Sequence, residues 1–175
     1  MGSSLGDAVI RDAEVDDAPV LAQAERDIAQ VPGRLASQPE ELEDRAFREK
    51  ITRLNQHESG KYLVIEFDGQ LVGHGLLDPL QLAVTAHVVT LSMAIHEGFQ
   101  GMGFGKKLLS HLVAWSISHE RVEKIELNVR SSNLAAISLY MALGFQEEGR
   151  KLKRLKYGPG QYLDDVQMGC WVGPI

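Results

Sequence analysis

The chain has 175 residues, 44% of them apolar and 24% charged, a composition that fits one folded domain and excludes a disordered or fibrous protein. Its formal net charge of −6 argues against broad nucleic-acid binding, which needs a basic surface. The single cysteine, Cys170, excludes an intrachain disulfide and a cysteine-based zinc cluster; with neither a leader pattern nor a membrane-length apolar run, a cytoplasmic protein is expected.

Residues 1–6 read as a loose tail and residues 7–175 as a single domain. Val9, Ile10 and Arg11 suit a short strand, after which Asp16 or Asp17 can cap a helix with Pro19 in its first turn and Leu21, Ala22 and Glu25 beyond. Pro32, Gly33 and Pro39 mark a loop. Pro39 then opens a charged helix running to about Glu58, with Phe47, Ile51 and Leu54 as a narrow apolar stripe. Tyr62 to Phe67 and Leu71 to Leu77 form a hairpin about Asp68-Gly69, a pair that favours the tight turn between strands.

In a strand from Val88 to Ile95, Leu91, Met93 and Ile95 alternate with Thr90, Ser92 and Ala94, so one face is large and apolar and the other small. A helix from about Gly103 to His119 and a strand from Ile125 to Arg130 complete a βαβ unit, whose two strands should be parallel. Ile125, Leu127 and Val129 share one face of that second strand; Glu126, Asn128 and Arg130 share the other. Ser131-Ser132-Asn133 offers N-cap chemistry for a helix ending near Leu143, before Gly144. Phe145 to Lys156 and Leu163 to Val172 read as two final strands around Tyr157-Gly158-Pro159-Gly160. The fold class is α/β or α+β, with about seven mostly antiparallel strands, one parallel step and about four helices.

The stretch from Leu91 to Leu109 carries the clearest chemistry. A strand, a glycine turn and a helix start together make an anion site, because the first helical N–H groups lack partners and the helix dipole adds positive potential. Two nucleotide motifs fail on spacing. A P-loop needs Ser or Thr where Lys107 follows Gly105-Lys106, and glycine where Gln100 stands; a dinucleotide fingerprint needs glycine where Leu108 stands. What remains is Q-x-x-G-x-G at Gln100, Gly103 and Gly105.

That pattern resembles the pyrophosphate-binding loop of the GCN5-related N-acetyltransferase (GNAT) family. Downstream, Asn133, Ala136, Leu139, Tyr140, Gly144 and Phe145 match the family's second signature, N-x-x-A-x-x-L-Y-x-x-x-G-F. The resemblance implies a GNAT-like fold whose parallel strands splay apart, with acetyl-CoA as co-substrate and no metal. The pyrophosphate would lie against the backbone of Gly101, Met102, Gly103, Phe104, Gly105 and Lys106, in a loop opened by Gln100. The pantetheine arm would run beside Met93, Ala94 and Ile95, bonding backbone groups that the splay leaves unpaired. Asn133 and Tyr140 stand seven residues apart and share one helix face with the small Ala136 between them, so Asn133 would face the cofactor. The resemblance makes Tyr140 the general acid, a role that suits a group of unperturbed pKa ~10.

The base stays open. Some members that acetylate protein N-termini carry a glutamate where Asn128 stands, and asparagine takes no proton. His87, His96 and Glu97 flank the strand before the loop, and a water chain is another route. His74 reads as a satisfied core histidine, Arg150 to Lys156 as a solvated basic edge, and Cys170 and Trp171 as packing residues. Lys106 and Lys107, beside the anion site, are better placed for CoA phosphates than that basic edge.

The resemblance therefore implies an N-acetyltransferase that moves acetyl directly to a primary amine. The segment from Phe145 to Val172 looks like members acting on an amino acid or small amine. Protein N-terminal or lysine acetylation is the alternative within the family. A non-catalytic acyl-CoA-binding or sensing domain is the alternative outside it, and would need no acid. The implied partners are a small-molecule amine, with no nucleic acid or membrane, and, as is common in the family, a second copy in a homodimer.

Overall fold

The computed structural model describes residues 7–174, so the loose tail expected over residues 1–6 lies outside the described residues. Seven strands form one mixed sheet: β1 (Val9–Asp12), β2 (Lys61–Phe67), β3 (Gln70–Pro79), β4 (Val88–Ile95), β5 (Lys124–Arg130), β6 (Gln146–Gly158) and β7 (Gln161–Trp171), in the order β1-β2-β3-β4-β5-β7-β6. Four helices flank it: α1 (Ala18–Ala29), α2 (Asp44–Gln56), α3 (Phe104–Ser118) and α4 (Leu134–Ala142). Among the described residues no helix is long and apolar enough to cross a membrane.

Each face of the sheet buries its own core. Leu63, Ile65, Leu77, Leu91, Ile125 and Leu127 pack with Leu108, Leu109 and Leu112 of α3 and Tyr140 of α4. Tyr62, Val64 and Leu76 pack with Leu21 and Ala22 of α1 and with Phe47, Ile51 and Leu54 of α2. The stripe expected on α2 is thus the face it buries. Asp68 and Gly69 take positive φ, 50° and 74°, the left-handed pair that joins β2 to β3 without splaying them.

The charged helix starts later than Pro39. Pro39–Glu41 forms a single 3₁₀ turn, and Leu42 leaves helical geometry (φ −98°, ψ 78°) to bury its side chain before α2 begins at Asp44. Proline at a first turn serves a 3₁₀ helix as well as an α-helix, so its signal was real but short. Asp17 does stand at the start of α1, but its side chain caps nothing there. It accepts from both terminal nitrogens of Arg11, at 2.8 and 3.0 Å, and from Glu14 N at 2.8 Å.

Among the described residues β4 and β5 are the one parallel pair, and they stay together only briefly. Val88, Val89 and Thr90 register with Lys124, Ile125 and Glu126; beyond Thr90 the strands separate. β4 keeps its antiparallel partner β3, and β5 keeps β7, so the sheet divides rather than ends.

Candidate functional site

The connection from β4 to α3 turns on glycines. Gly98, Gly101 and Gly103 have φ of 86°, 73° and 90°, the left-handed region that side chains disfavour. Gly103 is the N-cap of α3, and the first helical bond runs from Lys107 N to Gly103 O at 3.1 Å. Among the described residues, the N–H groups of 101–106 meet no acceptor. Six free donors at the start of a fifteen-residue helix are an arrangement suited to an anion.

The side chains around this turn divide into anchors and openings. Phe104 is buried against Phe67 and Phe99, with ring centroids 5.1 and 6.4 Å away, so only its backbone can meet a ligand. Gln100 Nε2 donates to Ile95 O at 3.2 Å and pins the turn to the end of β4. Lys107 Nζ donates to Ala8 O at 2.6 Å, which ties α3 to the start of β1 and leaves exposed Lys106 the better candidate for an external phosphate. At Gly105 a Cβ would meet Leu139, Ile95 and Met93 at 3.5, 3.6 and 3.9 Å, ordinary contact. The protein itself therefore does not require glycine at this position, which borders the space between β4 and α4.

Met93, Ala94 and Ile95 pair with Gly75, His74 and Gly73 of β3 on one side; past Thr90, among the described residues, no strand pairs with the other side. That open edge presents backbone donors and acceptors to an amide-bearing arm. Acetyl-CoA fits these features: free N–H groups for its diphosphate, a bare strand edge for its amides, and a missing Cβ where its chain would pass.

α4 carries Tyr140, the residue expected to serve as the acid. Asn133 caps it, its Oδ1 accepting from Ala136 N at 3.2 Å, and Gly144 closes it with φ 94°. Tyr140 is buried, its ring tilted on Phe145 at 5.6 Å. Burial pushes its pKa up to about 12, with the Arg130 charge opposing. The hydroxyl thus keeps its proton across the physiological range.

On the other face of the sheet the separating strands open a cavity of about 620 Å³. Ser92 pairs with Leu76, which packs toward α1 and α2, whereas Met93 pairs with Gly75, which abuts α3; Ser92 therefore faces away from α3. Thr90 and Ser92, Glu126, Asn128 and Arg130, and Asp165 and Gln167 line the cavity from β4, β5 and β7. Ala36, in the α1–α2 loop, also borders it. That loop is fastened twice: Tyr157 donates its hydroxyl proton to Leu35 O at 3.1 Å, and Arg34 pairs with Glu97. Lys124 is 3.0 Å from both Glu126 and Glu148, and Arg130 Nε is 3.1 Å from Asp165 Oδ1. The alternation along β5 identified Glu126, Asn128 and Arg130 as one polar face; Asp165 and Gln167 were missed, because their neighbourhood depends on the register Arg130 to Asp165 and Asn128 to Gln167.

The histidines lie elsewhere. His74 is buried, with Nε2 2.7 Å from Glu25 Oε1 and Nδ1 3.0 Å from His96 Nε2; His96 Nδ1 donates to Leu71 O at 3.0 Å. Burial, and then the neighbouring His74, hold the His96 pKa down at about 4. His87 sits against Trp171 at 6.5 Å between ring centroids. These positions leave Glu97 and His96 engaged with other residues and single out no base. Among the described residues no group of three or more His, Cys, Asp or Glu could hold a metal ion. Arg150, in the basic run of edge strand β6, pairs locally with Glu147 at 2.8 Å.

The model of a family described as acetyltransferase (GNAT) matches residues 24–145. By sequence the chain is similar to the L-amino acid N-acetyltransferase AaaT of Escherichia coli (strain K12), 30% identical over 116 residues that span 66% of this chain and 71% of that protein. It is also similar to an N-alpha-acetyltransferase of Sulfurisphaera tokodaii, 32% identical over 121 residues, 63% of this chain and 70% of that one. In three dimensions it resembles a GNAT superfamily phosphinothricin acetyltransferase from Sinorhizobium meliloti in complex with AcCoA, with TM-score 0.85, 20% identity, and coverage of 95% and 89%. That last likeness establishes the fold.

Proposed function

The chain belongs to the acetyltransferase (GNAT) family and is an N-acetyltransferase with acetyl-CoA as co-substrate; from that premise we propose that it acetylates the primary amine of a small molecule, such as an amino acid, by direct transfer. The observation that carries this reading is the polar cavity of about 620 Å³ where β4 and β5 part, a size typical of small-molecule sites. The loop held over it by Tyr157 and Glu97 favours a compact acceptor over a protein segment. The Escherichia coli relative is named for L-amino acids, which supports the same class.

Acetyl-CoA when bound supplies an activated thioester: a C–N bond forms as the C–S bond breaks, so the amine sheds a proton and the sulfur gains one. The N–H groups of 101–106 hold the diphosphate, and the open edge at Met93, Ala94 and Ile95 orients the arm. Tyr140 holds the proton destined for the sulfur, and its raised pKa keeps that proton in place until the leaving group needs it. Cap and ring packing fix Tyr140 on α4. Positioning two reactants and a proton donor in one frame supplies much of such a rate enhancement.

Thiol release from acetyl-CoA, followed over amino acids, polyamines, aminoglycosides and peptides, tests the reading. Acceleration by small amines is expected. Acceleration by peptides alone would move the acceptor to protein N-termini, and CoA binding without any acceleration would favour a sensing role. In Tyr140→Phe, kcat should fall on the order of 10²-fold or more while acetyl-CoA affinity holds; unchanged turnover would remove Tyr140 as the acid.

A further inference from the structure

Arg130 and Asp165 face each other across β5 and β7 inside the cavity, with side chains 14% and 13% exposed. Nε and Oδ1 are 3.1 Å apart, within ion-pair contact, yet the N–H does not point at the oxygen, and both atoms are buried without a hydrogen-bond partner. Arg130 Nη2 donates to Asn128 O at 2.9 Å, which holds the guanidinium on its own strand. A pair serving the fold alone would align, because an unfilled buried donor or acceptor costs free energy. The other charges here are already engaged: Lys124 spans Glu126 and Glu148. What the cavity leaves over is one donor and one acceptor side by side.

A complementary ligand presents one acceptor and one donor at similar spacing. An α-amino acid does so, with carboxylate and amine on the same carbon. We propose that Arg130 and Asp165 are the acceptor-recognition pair, Arg130 taking the carboxylate and Asp165 the amine of an α-amino acid; this rests on the reading of the cavity as the acceptor site. Because only one carbon separates the two groups, docking the carboxylate also places the nucleophile. A plain amine leaves Arg130 unfilled, and a polyamine brings a second cation toward it.

Proteinogenic L-amino acids are to be compared, each with its primary amide and its decarboxylated amine, in the wild type and in Arg130→Gln, Arg130→Lys and Asp165→Asn. The wild type should prefer the acids by on the order of 10²-fold in kcat/KM, and Arg130→Gln should cut that preference about tenfold or more, chiefly through KM. Arg130→Lys should retain part of it, and Asp165→Asn should raise KM for acid and amide alike. Isothermal titration of the amino acids into CoA-saturated protein reads binding without turnover, and the heat seen with wild type should vanish in Arg130→Gln. Equal use of acids and amides by the wild type, or an intact preference in Arg130→Gln, overturns the proposal while leaving a small-amine acetyltransferase standing. If no small amine is turned over, that broader reading fails, and titration decides this one: no amino-acid binding overturns it. Should a variant fail to fold, the wild-type comparison of acid with amide decides alone.

Discussion

At Gly105 the fold itself tolerates a side chain, since its nearest neighbours would lie 3.5 Å or more from an added Cβ. Replacing a helical glycine by alanine also removes conformational freedom from the unfolded chain, worth roughly 0.5–1 kcal/mol. Gly105→Ala should therefore melt at the same or a higher temperature, yet bind acetyl-CoA about tenfold more weakly by calorimetry. Unchanged affinity would mean that this glycine is not making room for the cofactor. The Asn133 cap and the glycine turn were legible because a cap and a loop are written within a few residues, whereas the role proposed for Tyr140 came through family resemblance. Asp165 was not, since it meets Arg130 only through the register of β5 with β7. Phe104 shows the converse limit. It stands within the motif, but its side chain faces the aromatic core, and only its N–H is available to a ligand.

α4 is nine residues long, too short to be stable by propensity alone, so its cap matters more than usual. Asn133→Ala should lower stability by about 1 kcal/mol in urea denaturation. It should also lower kcat, because the helix that loses its first turn is the one that carries Tyr140. Asn133→Ser should restore the stability; if it also restores kcat, the residue acts through the helix, and if kcat stays low, Asn133 meets the cofactor directly. The same scale explains the misplaced start of α2. Pro39 begins a helical turn, but nothing local in the sequence distinguishes a 3₁₀ turn from an α-helix until Leu42 is drawn into the core. The parallel step from β4 to β5 was readable, since a strand, a helix and a strand of these lengths have one favoured connection. The parting of those strands beyond Thr90 came only through family resemblance, because no side-chain pattern encodes where a ladder stops.

For the molecule as a whole, His96 ties stability to pH. The unfolded chain binds a proton on this residue at its ordinary value of 6.5, whereas the folded protein refuses it until about 4. Its contribution is thus fully present above pH 6.5 and is lost as the pH falls through about 4, some 3 kcal/mol in all. Urea denaturation between pH 7 and pH 4 should show this slope, and His96→Gln should flatten it. Tyr140 acts at the opposite end, its raised pKa withdrawing stability as the pH climbs from 10 toward about 12. Between these limits the Tyr140 hydroxyl keeps its proton and the buried His96 stays neutral.

The divided sheet is also a partition. The glycine turn and α4 lie on the α3 face, and the polar cavity lies on the face of α1 and α2. With the donor and acceptor sited as proposed, each substrate has a doorway of its own, and the two meet only in the gap between β4 and β5. Neither stands in the other's way. Spent CoA can leave while the acetylated product is still seated, and a fresh acceptor can arrive before the donor, so the architecture imposes no order on the traffic through it.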